Sequence, residues 1–194
     1  YATACSAALT AAHGAHRALQ HGECSVALTA GIFLVLTPHV STSFAVAGMT
    51  STRGRCHTFD SRADGYSRGE ACCTTALYCD GKEGALGVEG TAVRQDGRSA
   101  SLTAPNGQAQ QWLLRAGLTD ACLAAAMLTV HEAHGTGTAL GDPIEAGSLV
   151  GAVLSERDMA PLTVGGVKAN IGHAEQAAGV TGLLKLVAGL QAGM

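Results

Sequence analysis

The chain has 194 residues and a formal net charge of −3, with 47% apolar, 14% charged and 4% aromatic residues. Charge lies well below the usual ~25%, and Gly, at 26 residues, stands near twice its usual share of ~7%. This excludes a disordered, collagen-like or nucleic-acid-coating chain and leaves a core of Ala, Leu, Val and Gly, suited to a tightly packed α/β interior with subunit contacts.

In chain order, Cys5 to His21 is Ala- and Leu-rich and predicts a helix, with Gly22 as the residue that ends it. Ser25 to Gly31, a short apolar run between turn signals, predicts a buried strand. The apolar stretch from Ser25 to Leu36 is far shorter than the ~20 residues that cross a bilayer, so no membrane span is expected. Residues 32–68 are loop-rich, with a short helix around Ser41 to Ala47. Glu70 to Cys79 and Leu86 to Gln95, crowded with Thr, Val and Cys, predict two strands. A polar loop follows from Asp96 to Asn106, and Pro105 is expected in the first turn of a helix running to about Gly117. Then come a strand at Met127 to Glu132, a Gly-rich loop, a helix from Pro143 to Leu154, a strand at Leu162 to Val167 and a closing helix from Ala174 to Leu190. Strands alternating with helices predict an α/β protein with a parallel or mixed sheet. The opening at Tyr1 without a leader and the ending at Met194 without a stop signal predict a fragment cut at both ends.

The seven cysteines are odd in number and irregular in spacing, unlike a secreted disulfide framework. Six are expected to be small buried residues in a reducing compartment. Cys72, Cys73 and Cys79 lack the downstream pair that a tetrahedral site needs, so no metal is expected.

Three segments place reactive side chains beside flexible backbone. In Thr3-Ala4-Cys5-Ser6, a cysteine at a helix N-terminus meets free N–H groups and the positive end of the dipole, which favours thiolate. The same segment also reads as a small buried cysteine. In His131-Glu132-Ala133-His134-Gly135-Thr136-Gly137-Thr138, a histidine closes a predicted strand and glycines and hydroxyls follow. The spacing fits neither a metalloprotease pair nor a dinucleotide fingerprint, and a satisfied histidine in a turn is the plain alternative. Lys168-Ala169-Asn170-Ile171-Gly172-His173 repeats the strand-end histidine. One Cys and two His at three strand ends together point to a cleft, because α/β sheets gather ligand and catalytic groups there.

At these residues the sequence resembles the β-ketoacyl synthases of the thiolase superfamily, most closely the ketosynthase domains of type I polyketide synthases. The matching segments are TACSAAL at 3–9, GRCHTFD at 54–60, ADGYSRGEAC at 63–72, QDGRSASLTAPNG at 95–107, EAHGTGTALGDPIE at 132–145 and KANIGHAEQAAG at 168–179. The resemblance implies a thiolase-like layered α-β-α-β-α architecture, with residues 1–194 as a partial ketosynthase domain, a central fragment of the two-halved fold. It implies an acyltransferase that joins an acyl-Cys intermediate to a malonyl-type extender by decarboxylative Claisen condensation. Cys5 would be the nucleophile, with a depressed thiol pKa. His134 and His173 would stabilise the enolate, and Lys168 would pair with Glu145. Thr136 and Thr138 would bond the pantetheine amides, Gly135 and Gly137 would let that arm approach, and Tyr66 would lie near the acyl chain.

No cofactor binds directly under this reading. Substrates arrive as acyl and malonyl thioesters on the phosphopantetheine of an acyl carrier protein, and the domain would be a homodimer of the cytoplasm, or of an organelle if a leader preceded it. Nucleic acid is not an expected partner. The alternatives are a fatty acid synthase condensing domain and an inactive remnant serving as acyl-binding or dimer scaffold. The family's C-terminal Gly-Phe-Gly block has no counterpart here, so the isolated fragment is expected to be inactive.

Overall fold

The structure, a computed structural model, describes residues 1–79, 81, 86–101, 104–158 and 161–193. The chain enters through a 3-10 turn at Ala4–Ser6 and continues into α1 (Ala7–Gln20). Alanine gives α1 its propensity, Arg17 sits in its last turn, where the dipole is negative, and Gly22 follows at φ +70°. Strand β1 (Val26–Phe33) pairs antiparallel with β2 (Ala71–Tyr78), in a register that sets Val26 opposite Tyr78 and Phe33 opposite Ala71. Between them lies α2 (Pro38–Val46), begun by a proline that gives up no helical hydrogen bond.

Helix α3 (Gly107–Asp120) is capped by Asn106, whose side-chain oxygen accepts from the N–H groups of Gln108 and Ala109 at 3.0 and 3.2 Å. Pro105 therefore precedes the cap instead of sitting in the first turn. Strand β3 (Val130–Glu132) runs parallel to β4 (Thr163–Gly165), and α4 (Gly141–Ala152) lies between them in sequence. The expected closing helix forms, with its first turn in 3-10 geometry. A short α5 (Lys168–Ile171), a turn through Gly172 and a 3-10 stretch at Glu175–Ala177 precede α6 (Ala178–Gln191).

Helices α1 and α6 pack on each other and on the β1–β2 sheet. Gly31 in β1 makes this approach possible. A Cβ there would stand 2.9 Å from the Ala8 methyl and 3.0 Å from the Ala177 Cα, so any side chain would force the layers apart. A second apolar cluster joins Ala125, Leu149, Ala152 and Val153, with Leu114 and Leu118 of α3 against it. Glu132 ties β3 to its surroundings: its carboxylate accepts from the Val167 N–H at 2.6 Å and from Lys185 of α6 at 2.5 Å.

Two further expectations fail for physical reasons. Leu86 to Gln95 forms no strand among the described residues. Thr91 spends its N–H on Asp120 (2.8 Å) and its C=O on Arg17 (3.0 Å), so side chains of α1 and α3 take the place of a neighbouring strand. The cysteines are not mostly core either. Only Cys56 is buried, Cys24 and Cys73 are half-buried, and Cys72, Cys79 and Cys122 are exposed. Cys72 falls on the outward set of the alternating β2 residues, which sequence alternation alone assigns to neither face. The stretch from Tyr78 to Leu86, which the family resemblance makes shorter and more Gly-rich than the usual crossover, falls mostly outside the described residues.

Candidate active site

Cys5 is carried on the turn that opens α1. Ala4 before it has φ +50°, a left-handed conformation that costs a non-glycine residue roughly 1–2 kcal/mol. The Ser6 hydroxyl donates to the Thr3 carbonyl at 2.9 Å, and Thr3 and Thr10 share a hydroxyl contact at 3.2 Å, which pins the turn. Burial pushes the Cys5 thiol pKa up, with its own backbone N–H and the Lys168 ammonium working the other way. This corrects the expected depression: loss of solvent around the sulfur outweighs the helix-terminal N–H groups, so the resting group is a thiol.

His134 lies two residues beyond the end of β3, in a loop shaped by two carboxylates. Glu145 of α4 accepts from the His134 N–H at 2.6 Å and from the Gly135 N–H at 2.8 Å. Asp142, only 3% exposed, accepts from Gly137 (3.1 Å), Thr138 (3.3 Å) and Phe59 (2.8 Å). Gly137 has φ +78°, and a Cβ there would lie 2.6 Å from the His57 N, so both conformation and space require glycine. The Thr136 and Thr138 hydroxyls are 3.3 Å apart, and Thr138 Oγ1 also accepts from the Gly141 N–H.

Lys168 and Glu145 do not form the expected ion pair; among the described residues no carboxylate lies within 4 Å of this ammonium. The two grip opposite backbone groups of the same residue, because Lys168 Nζ donates to the His134 carbonyl at 2.6 Å. Lys168 is 5% exposed, and burial lowers its pKa while the Glu145, Cys5 and Glu132 charges oppose that shift.

His173 is held from both sides of its backbone. Its N–H donates to the Ser67 carbonyl at 2.7 Å and its C=O accepts from the Gly69 N–H at 2.9 Å. The Glu175 N–H donates to His173 Nδ1 at 3.0 Å, which leaves the ring proton on Nε2. Burial, then Lys168 and His134, push the His173 pKa down to about 3. One edge of His134 is open to solvent, yet the protein mass around it and the Lys168 ammonium hold its pKa below the ordinary imidazole range. Both rings are therefore neutral at neutral pH.

These elements bring together the residues singled out in the sequence. Cys5 Sγ and one ring nitrogen each of His134 and His173 all lie within 4.8 Å of one another. The two imidazoles stand edge to face at 5.8 Å, and Tyr66, buried beside them, meets His173 at 5.1 Å. Burial and the Glu175 charge raise the Tyr66 pKa to about 12, so it remains a neutral phenol. A Cys-His-His cluster has metal-ligand chemistry, but His173 offers a proton at Nε2 instead of a lone pair and Lys168 adds positive charge nearby. The set reads as hydrogen-bond donors around a thiol. A cavity of about 270 Å³ opens beside Cys5, with Leu9 of α1 and Leu183 and Leu186 of α6 as its apolar wall.

Sequence reasoning missed this wall, and also Asp142, Glu132 and Glu175. Asp142 left one signal, an acid in the first turn of α4, which the dipole favours but which does not reveal its three N–H partners.

No helix among the described residues is long and apolar enough to cross a membrane. The beta-ketoacyl synthase N-terminal domain family matches residues 1–78, and the beta-ketoacyl synthase C-terminal domain family matches residues 87–194. A phenolphthiocerol/phthiocerol polyketide synthase polypeptide from Mycobacterium tuberculosis is 47% identical over 191 residues, which cover 95% of this chain and 9% of that protein. An erythronolide synthase of Saccharopolyspora erythraea is 41% identical over 198 residues, covering 99% of this chain and 6% of its own. Among solved structures, the oxazolomycin ketosynthase domain of Streptomyces albus superposes with a TM-score of 0.91 at 37% identity, covering 97% of this chain and 34% of that one. The module 6 ketosynthase of the Bacillus subtilis bacillaene synthase gives 0.90 at 34% identity, covering 97% of this chain and 35% of that one.

Proposed function

The chain belongs to the β-ketoacyl synthase family, and on that premise we propose that its site carries out the condensing step of polyketide chain elongation. The observation that carries this reading is the meeting of one thiol and two neutral imidazoles within 4.8 Å.

In the first step the Cys5 thiol attacks an acyl thioester. The resting thiol must lose its proton, and His173 cannot take it at Nε2, which is already protonated. His134 can: neither of its ring nitrogens is engaged in a hydrogen bond among the described residues. The proton moves to His134 and on to the departing pantetheine thiolate, which leaves Cys5 acylated and the imidazole neutral. In the second step the extender carboxylate leaves as CO₂, and the electron pair of the broken C–C bond moves onto the thioester oxygen. His173 Nε2–H is a fixed donor to that oxygen, and His134, whose tautomer no contact fixes, adds a second. The enolate carbon then forms its bond to the acyl carbonyl, Cys5 leaves as thiolate, and a solvent proton restores the thiol.

The substrates are acyl and malonyl-type thioesters on the phosphopantetheine of an acyl carrier protein, with the chain as part of a homodimeric ketosynthase domain. Thr136 and Thr138 bind the pantetheine arm against Gly135 and Gly137, and Tyr66 lies on the acyl side. The polyketide synthases among the relatives favour this over a fatty acid synthase condensing domain or an inactive scaffold. The test uses a complete ketosynthase domain carrying these residues. With an acyl carrier thioester, intact mass and peptide mapping are expected to place the acyl group on Cys5. Acyl groups on Cys72 or Cys122 instead would overturn the assignment.

A further inference from the structure

Glu175 and Arg68 are buried charged groups to which the chemistry above gives no task. Their side chains are 15% and 9% exposed, and Arg68 Nε stands 3.7 Å from Glu175 Oε1, with no hydrogen bond completed by either atom among the described residues. A buried ion pair whose facing atoms complete no hydrogen bond contributes little net stability, since desolvation offsets the attraction. Glu175 also holds φ +42°, a left-handed conformation that a non-glycine residue keeps only when its surroundings impose it.

The contacts of both residues lead to one place. The Arg68 guanidinium lies over the rings of Phe33 and Phe44, at 5.0 and 5.2 Å, and donates to the Ser41 hydroxyl at 2.8 Å. β1 and α2 thus fix it. Its backbone is bridged to His173, and a Cβ at Gly172 would come within 3.0 Å of the Arg68 carbonyl oxygen. The Glu175 carboxylate faces this guanidinium and the Tyr66 hydroxyl, while the backbone N–H of the same residue donates to His173 Nδ1.

We propose that Arg68 and Glu175 are positioning residues that lock His173 in its Nε2–H tautomer: Arg68, clamped by Phe33 and Phe44, anchors the Glu175 carboxylate, and that anchor keeps the strained Glu175 backbone aimed at Nδ1. The inference rests on the reading of His173 as an enolate-stabilising donor. Without the anchor the Glu175 backbone relaxes, Nδ1 loses its donor, and the ring samples the tautomer with a bare Nε2, which cannot stabilise the enolate.

The test compares Glu175→Ala, Glu175→Gln and Arg68→Leu in a complete ketosynthase domain carrying these residues. Glu175→Ala and Arg68→Leu are expected to lower kcat for malonyl-thioester decarboxylation about tenfold or more, by analogy with the loss of groups that orient a ligating histidine. KM and the rate of Cys5 acylation stay unchanged. Glu175→Gln, which keeps the side chain's length and an acceptor toward Tyr66, returns decarboxylation to within about threefold. Imidazole ¹⁵N shifts of His173 give a readout independent of activity: one tautomer in the unsubstituted protein and a mixture in Glu175→Ala. If Glu175→Ala does not fold, Glu175→Gly, which tolerates the positive φ, is read the same way. Wild-type decarboxylation with a single tautomer in these variants overturns the proposal, and so does a parallel loss of acylation and decarboxylation. Full decarboxylation by His173→Ala would instead sink the functional reading and leave the tautomer result standing.

Discussion

Around Cys5 the chain bends through a left-handed alanine and is pinned by exposed hydroxyls, whereas around His134 it bends through glycines and is pinned by carboxylates. Five backbone N–H groups of residues 59 and 134–138 end on Asp142 and Glu145, while the Cys5 turn has no charged partner for its backbone among the described residues. Under the proposed function the difference fits the tasks. An attacking sulfur needs reach and some freedom, while a loop that aligns a pantetheine arm and a proton-transferring ring needs fixed geometry.

Substitutions can break or sharpen that contrast. The largest effect belongs to Cys5→Ala, in a complete domain: acyl transfer to the protein falls to background by intact mass, while malonyl decarboxylation continues. Because Cys72, Cys79 and Cys122 are exposed, a plain alkylator labels them too, so only acyl mapping is decisive. His173→Ala comes next, with decarboxylation down on the order of a hundredfold and acylation retained; equal losses in both steps would erase the division of labour. Asp142→Asn probes the carboxylate-held loop. It replaces a buried acceptor of three N–H groups and is expected to lower unfolding free energy by about 2–4 kcal/mol in a urea titration.

Acid acts more gradually. His173 has a folded pKa of about 3 against an ordinary 6.5, so the unfolded chain takes up a proton that the folded one refuses. The depressed value leaves stability complete above about pH 6.5 and lowers it as pH falls from there toward 3. Denaturant titrations across that range should show the decline, and a flat profile would deny the ring's burial. The smallest effect is Ala4→Gly. Relief of the left-handed alanine, offset by glycine's greater unfolded freedom, should raise unfolding free energy by a few tenths to about 1 kcal/mol. A loss would mean that the turn before Cys5 stores no strain.

Cys5, His134 and His173 were legible in the sequence because each stands in a segment whose neighbours are dictated by backbone: small residues, glycines and a helix start. What those neighbours do was less legible. Lys168 and Glu145 lie beside His134, yet proximity does not name partners, and both act on the His134 backbone. The direction of the thiol pKa shift is not legible along the chain, because a helix terminus can be read there while burial comes from segments far away in it. The strand expected at Leu86 to Gln95 has suitable residues but no partner edge. α1 and α3 meet there only in three dimensions. The split before α6 depends on Gly172 at φ +77° and Glu175 at φ +42°, and only the glycine advertises it.

Gly31 works as a shim of zero thickness. Ala8 lies three positions beyond Cys5 and Ala177 four beyond His173, and β1 is squeezed between them with no side chain at the contact. The gap between sulfur and imidazole is thus gauged at a point where neither group is present. A single added methyl at position 31 would act as a spacer between the two carriers, detuning their reach without touching a reacting atom.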